Sequence, residues 1–481
     1  VIGRDYTIGA DGMITSIKSE GVELLAAPMR VVSVEDGEPS DWDMNYPENE
    51  SESFIQRRSD EEIVICGAKQ SDRFIIDTCY KIDYDGCIDI DLKLMTRGKT
   101  VAQVFGIAET KPTLFKLDKL WLEIPLRADA MTLFTSYPNS AMWLADGTER
   151  PYTDMSMSGK IPEQTAAMPF KALLWLGNEE RGLGWFAESD RNWQPVSNTD
   201  AMELVRDGDT LILRVRLLDS HPVSWSADPK TGLYAYTPIT FNFGLHATPV
   251  KPFPKQPYIH NAFHLDCGIK VKGNYIDVLA GRYDELKEKG VTTLILHEKW
   301  NKSQNWFELS EFTKHQITTI TDECHKRGIK VLTYFGYELS TMSPEWSELE
   351  DEVTFRDAQG RLAGGWWRVP FQRDYVVCYN SEYSDIFIDG VTKIMDECHT
   401  DGVYLDGTHH ARLCYSTEHG CGWYDHNGKL HGSYCWKAVR KLFKRLYDVV
   451  GSRGGEINVH AFGFVNFTAI PYIHQNWYGE N

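Results

Sequence analysis

From residue 258 onward, short apolar runs alternate with amphipathic helical stretches, and this alternation narrows the fold more than any other feature of the chain. The runs are IHNAFHL (Ile259–Leu265), VTTLILHEKW (Val291–Trp300), IKVLTYFGY (Ile329–Tyr337), GVYLDGT (Gly402–Thr408), EINVHAFG (Glu456–Gly463) and IPYIHQNWYGEN (Ile470–Asn481). Between them lie helical patterns that stop at glycine, at Gly290, Gly328, Gly402 and Gly454. Glycine takes the left-handed conformation that closes a helix, and strands alternating with such helices imply a parallel βα series. Six strands suit a (β/α)8 TIM-type barrel that is incomplete at the C-terminus. An open doubly wound sheet is the alternative, but no glycine-rich phosphate loop follows the first run.

The first half follows a different grammar. EEIVICGA (Glu61–Ala68), RFIIDTCYKI (Arg73–Ile82), CIDIDLKLM (Cys87–Met95), LWLEIPL (Leu120–Leu126) and TLILRVRLL (Thr210–Leu218) are short β-type runs, several of them alternating apolar and polar residues. Residues 1–246 therefore read as a large antiparallel β-sandwich of the super-sandwich type. The stretch ATPVKPFPKQP, with prolines at 249, 252, 254 and 257, cannot continue a central strand or a helix. It marks a linker over 247–257, and the barrel domain occupies 258–481. A length of 481 residues accommodates two such domains.

A formal net charge of −19 argues against a nucleic-acid partner, and no apolar run approaches the ~20 residues of a membrane span. The N-terminus shows no basic and apolar leader pattern, and localisation stays open between cytoplasm and an exported, processed form. The ten cysteines contain no C-x-x-C and read as reduced core thiols. Fifteen Trp and twenty-three Tyr in an acidic chain suit a carbohydrate partner, because sugar rings stack on aromatic faces. A homo-oligomer is compatible with all of this, and no cofactor is implied.

In a βα barrel, active sites sit at the C-terminal ends of the strands. Those positions hold His264 and Asp266, His297 and Glu298, Tyr334 and Tyr337, Asp406 with His409 and His410, Asn458 and His460, and the segment from His474 to Glu480, which includes Trp477. Carboxylates at several strand ends are what glycoside hydrolysis needs: one carboxylic acid protonates the leaving oxygen, and a carboxylate attacks the sugar or activates water. Asp406 is the leading candidate, with Glu480 and Glu298 as partners; the bland reading of Asp406 is a turn cap. The loop from His409 to Cys435 holds Cys414, Cys421 and Cys435 and five histidines, but their spacing fits no standard zinc pattern, so a substrate loop is expected there, with Trp423 as a stacking wall. In the insertion after the third run, Trp366 and Trp367 form a candidate sugar platform and Arg368 a ligand for hydroxyl or acidic groups.

The stretch RGLGWFAESDRNW (Arg181–Trp193), the proline-rich linker, DGVYLDG and DHNGKLHGSYCWKAVRKLFKRLY together resemble bacterial glycoside hydrolase family 123-like proteins, in which a β-sandwich precedes a catalytic barrel. The opening GMITSIKSEGVELLAAPMRV resembles the sandwich that precedes barrels in the α-galactosidase-like clan. The resemblance implies an exo-acting glycosidase. Family 123 uses an adjacent Asp-Glu pair with the substrate's N-acetyl group as nucleophile, whereas here Asp322-Glu323 and Asp396-Glu397 fall inside helices. The clan places a nucleophilic Asp after strand 4 and an acid/base after strand 6, which Asp406 and Glu480 match. The expectation is a retaining hydrolase of an α-linked galactoside or N-acetylgalactosaminide. Rival readings are a substrate-assisted β-N-acetylhexosaminidase, a polysaccharide lyase and a non-catalytic carbohydrate-binding protein.

Overall fold

A computed structural model describes residues 1–42, 55–71, 74–96, 117–137, 158–219, 238–252, 260–265, 274–301, 307–368, 372–461 and 465–478. The side chains of Thr96, Lys299, Trp366, Trp367, Arg368 and Tyr478 lie outside that description. The chain forms two compact units, and among the described residues the boundary falls between Pro252 and His260.

The first unit is built on antiparallel sheets. One has six strands, ordered Ala166–Met168, Met202–Asp207, Thr210–Leu218, Leu117–Arg127, Arg30–Glu35 and Glu38–Pro39. Another has nine, with Gly182–Phe186, Ile239–Thr248, Cys87–Thr96, Phe74–Asp83 and Glu62–Gln70 adjacent in that order. In Phe74–Asp83, Phe74, Ile76, Thr78, Tyr80 and Ile82 are buried and their neighbours are not, the period-two pattern of a strand with one covered face. Both sheets feed one apolar core, in which Leu120, Leu122, Leu213 and Val215 join Ile90, Leu92, Phe241 and Phe243. The motif around Arg181–Trp193 belongs to this core: Trp185 is buried and stacks on Phe243 with centroids 4.7 Å apart. The proline-rich stretch begins later than the spacing predicts, because Ile239–Thr248 runs as a strand through Ala247 and Thr248. Cys66 and Cys79, opposite each other in register, form a disulfide, so the reading of uniformly reduced cysteines does not hold for this pair.

The second unit carries the parallel series. Its six strands are β1 (Ala262–Leu265), β2 (Thr293–Leu296), β3 (Lys330–Phe335), β4 (Gly402–Asp406), β5 (Glu456–Ala461) and β6 (Gln475–Tyr478). They pair in parallel in sequence order, β1 through β6. Between them run α1 (Tyr275–Leu279), α2 (Tyr283–Glu288), α3 (Glu311–His325), α4 (Trp346–Val353), α5 (Tyr383–Cys398) and α6 (Trp436–Gly451). All six expected strands form, but among the described residues the sheet is a six-stranded partial barrel and not a complete (β/α)8 barrel, since β1 and β6 have one sheet neighbour each. A barrel needs every strand to have two neighbours.

The helices form where the apolar spacing requires. In α6, Trp436, Val439, Leu442, Phe443, Leu446 and Val450 are buried at steps of three, four or one, a single stripe on a 3.6-residue period. Ser310 caps α3 by accepting a hydrogen bond from Thr313 N at 3.1 Å, and Gly328 follows the helix at φ +69°. Glycine is obligatory at the start of β4. Gly402 has φ +131°, and a Cβ there would lie 2.0 Å from the Glu456 carbonyl oxygen of β5.

Candidate active site

Register decides which side chains share a face. Parallel strands set paired residues side by side, and side chains alternate between faces along each strand. Leu294, Leu296, Val331, Thr333, Phe335, Val403, Leu405, Ile457 and Val459 fall on one face and are buried. The other face carries His264 of β1, the line through Ile295 to His297 after β2, Tyr334 of β3, Tyr404 and Asp406 of β4, Asn458 and His460 of β5, and Trp477 of β6. One face is thus polar and aromatic toward the C-terminal ends of all six strands.

Asp406 is the focus of that face. Its Oδ2 accepts a hydrogen bond from the Tyr334 hydroxyl at 2.8 Å, and its Oδ1 lies 3.2 Å from His460 Nδ1, its register partner. The carboxylate keeps 23% of its side-chain surface exposed. Burial alone would push the Asp406 carboxyl up; the hydrogen bonds from His460 and Tyr334, with the neighbouring His460 and His297 imidazoles, outweigh it and hold the group below its ordinary range. Tyr334 moves the other way. Burial, then the carboxylates of Asp406, Glu338 and Glu298, hold its hydroxyl well above 10, so it stays a neutral donor.

Rings enclose this pair. His297 lies 4.5 Å from Tyr334 and 5.9 Å from Tyr404, centroid to centroid, and His264 lies 5.0 Å from Tyr404 and 5.4 Å from Trp477. Tyr404 stacks on His460 at 6.5 Å. Burial, with His297 and His460 beside it, pushes His264 down to about 4, so its ring is neutral near pH 7. Asn458 Nδ2 faces His260 Nε2 at 3.3 Å.

Of the residues singled out in the sequence, the structure brings together Asp406, Tyr334, His297, His460 and Trp477, with Glu298 on the short 3-10 turn after β2. His409 and His410 are buried with their rings 4.3 Å apart, and Asn466 Nδ2 donates to the His409 carbonyl at 2.8 Å. Burial, then the Arg412 guanidinium, pushes His409 down to about 3, which suits a packed, neutral ring. Trp423 stacks on His431 at 4.5 Å, in the ribbon Trp423–Tyr424 and Leu430–His431. The strand Gly364–Arg368 pairs with Gln372–Val376, but the side chains of Trp366, Trp367 and Arg368 lie outside the described residues, as do Glu480 and Asp266. Gly407 closely approaches Tyr337: at φ +61°, a Cβ would meet that ring at 2.5 Å. Arg412 covers the same ring at 3.8 Å and donates to the Gly407 carbonyl at 3.2 Å.

Two members of the group were missed in the sequence. Tyr404 stands two residues before Asp406 and so shares its face, a signal available from strand periodicity alone. Glu338, 5% exposed on the strand Glu338–Ser340, acts electrostatically on both Tyr334 and Tyr337. It lies outside the parallel series, and no strand-end rule would have found it.

The family described as Hypothetical glycosyl hydrolase 6 matches residues 283–407, from α2 to one residue past Asp406. This supports a likeness to glycosyl hydrolases over that segment; the resemblance to family 123 is not among the matches found. No curated protein matches the sequence. Among solved structures, a GH36 α-galactosidase from Geobacillus stearothermophilus, in complex with 1-deoxygalactonojirimycin, aligns at 10% identity over 100% of this chain and 64% of that one, with a TM-score of 0.45. The galactosidase domain of an α-galactosidase–sucrose kinase aligns at 11% identity over 96% of this chain and 62% of that one, with a TM-score of 0.43. An α-N-acetylgalactosaminidase from Bifidobacterium bifidum, in complex with GalNAc, aligns at 11% identity over 98% and 77%, with a TM-score of 0.37. The chain thus spans less than two thirds of the length of the first two, and likeness this distant does not bear on function.

Proposed function

We propose that the second unit is a glycoside hydrolase acting through Asp406 as nucleophile. The observation that carries this reading is the state of Asp406: a partly exposed carboxylate at the end of a central parallel strand, kept ionised by Tyr334 and His460. An ionised carboxylate suits attack on a sugar and does not suit proton donation, which needs a carboxyl held protonated. The glycosyl hydrolase match over residues 283–407 supports the same class.

In the proposed reaction an Asp406 oxygen bonds to the anomeric carbon while the bond from that carbon to the leaving oxygen breaks. A carboxylic acid gives its proton to the leaving oxygen. Water then attacks the anomeric carbon, the same carboxylate takes a proton from it, and the Asp406 ester bond breaks, so the anomer is retained. Glu480 is the acid that the sequence resemblance implies, with Glu298 as the other candidate. An α-linked galactoside or N-acetylgalactosaminide is the substrate class of the resemblance. Trp477 and the Trp366–Trp367 pair are the proposed sugar-stacking groups.

The test is hydrolysis of aryl α- and β-glycosides, N-acetylhexosaminides included, by wild type and by Asp406→Ala checked for folding by circular dichroism. Turnover is expected from wild type and not from the variant. Azide is expected to restore turnover to the variant and to yield a glycosyl azide of inverted anomer. A folded variant with undiminished activity would remove Asp406 from the chemistry and return it to capping a turn.

A further inference from the structure

Around the loop that follows Asp406 the chain gathers a second set of chemically distinctive groups. Cys378 comes from the segment after the strand Gln372–Val376, Cys414 from the short strand Leu413–Cys414, Cys421 from the turn beyond it, and Cys435 from the residue before α6. All four thiols are buried, and they form one cluster with Phe355, Ala363 and Val376. The sulfurs of Cys378 and Cys421 are 3.6 Å apart, and Cys435 Sγ stands 3.5 Å from each of them. His419 joins from the exposed side, with Nε2 at 3.2 Å from Cys414 Sγ. The ligand atoms of Cys378, Cys414, His419 and Cys421 all lie within 4.8 Å of one another.

These spacings suit one chemistry. A disulfide needs sulfurs about 2.05 Å apart, far closer than those seen here. Apolar packing explains one or two buried thiols but not four in one cluster with an imidazole against Cys414. A zinc ion with Zn–S bonds of about 2.3 Å sets tetrahedral sulfurs roughly 3.8 Å apart, close to the 3.6 Å between Cys378 and Cys421. The histidine is oriented for ligation as well. Its Nδ1 lies 3.0 Å from the Glu352 carbonyl oxygen, which can only accept, so Nδ1 carries the proton and Nε2 turns a lone pair toward the sulfurs. Asn380 Nδ2 donates to Cys421 Sγ at 3.7 Å and to the His419 carbonyl at 2.8 Å, an outer bond of the kind that steadies a thiolate ligand.

We propose that Cys378, Cys414, Cys421 and His419 bind one zinc ion in a closed, structural site, with the Cys435 thiol lying against it. Three thiolates and one neutral imidazole satisfy four-coordinate zinc and leave no position for substrate, which separates this site from the chemistry at Asp406. Its role is mechanical. The segment between Gly407 and Cys435 holds only two-residue strands, and zinc ties it to Cys378, which precedes α5.

Metal content of the full chain, purified without added metal or chelator, tests this directly by inductively coupled plasma mass spectrometry. One zinc per chain is expected. Cys414→Ser, Cys421→Ser and His419→Ala are each expected to lose it, while Cys435→Ser retains it. Because a variant could fail to fold, the wild type provides a second reading. Cobalt(II) substitution is expected to give the intense visible bands of a tetrahedral thiolate site, and alkylation of Cys378, Cys414 and Cys421 is expected only after zinc is removed. Iron in place of zinc, no bound metal, or a disulfide among these cysteines in non-reducing peptide mapping would each overturn the proposal. Zinc kept by His419→Ala and lost by Cys435→Ser would overturn the ligand set in favour of four thiolates.

Discussion

The Tyr334 hydroxyl is the group whose removal most directly asks whether Asp406 is held ionised. In Tyr334→Phe the ring keeps its place beside His297 at 4.5 Å and Tyr404 at 5.9 Å, so little packing is lost. What disappears is one O–H donor, 2.8 Å from Asp406 Oδ2. A hydrogen bond to a charged group contributes about 1.5–3 kcal/mol. Asp406 retains 23% of its side-chain exposure, which favours the lower half of that range, about 2 kcal/mol. The loss should depend on pH. The folded-state value of Asp406 lies below the ordinary 3.8, so the stabilisation is present above the unfolded carboxylate range and is lost as pH falls through the folded value. Urea unfolding of wild type and Tyr334→Phe, with hydrogen exchange in β4 followed in parallel, should therefore show the full deficit at pH 7. The deficit should shrink as pH falls below about 3.9. In glycoside hydrolysis, the acid limb of the pH profile should move to higher pH. Equal deficits at pH 7 and pH 3, or none at pH 7, would refute the reasoning that Tyr334 holds the charge.

Gly402→Ala should destabilise the second unit by more than about 3 kcal/mol, from a forbidden φ together with a Cβ driven into the Glu456 carbonyl; a loss below about 1 kcal/mol in urea unfolding would contradict the tight β4–β5 approach. His264→Gln should flatten the dependence of stability on pH between the ordinary histidine value of 6.5 and about 4. With a folded-state value pushed down, wild type has the full contribution above that window and loses it as the pH falls to about 4. An unchanged slope in thermal unfolding across pH 4–7 would remove His264 from the buried cluster.

Much of the second unit was legible because its signals are local. Six apolar runs, the first five separated by helical patterns with a glycine stop, predict six parallel strands in chain order, and the structure has them. Asp406 stood out for the same reason, as a carboxylate ending an apolar strand between Gly402 and Gly407. Period two along β4 would have added Tyr404. The closure of the barrel was not legible, because each local run looks alike whether its neighbour is present or not.

Local pattern in the chain settles which segments become strands and helices and which residues each strand carries to its C-terminal end. Tertiary structure alone decided which of those ends share a face, through the register that sets Asp406 beside His460 and Tyr334 beside Tyr404. It also decided that Cys378 joins Cys414 and Cys421, although α5 and β4 separate them along the chain. Both outcomes depend on contacts between segments distant in sequence. Local propensity and ligand spacing carry no record of such contacts, since packing of the whole sheet and its helices sets them together.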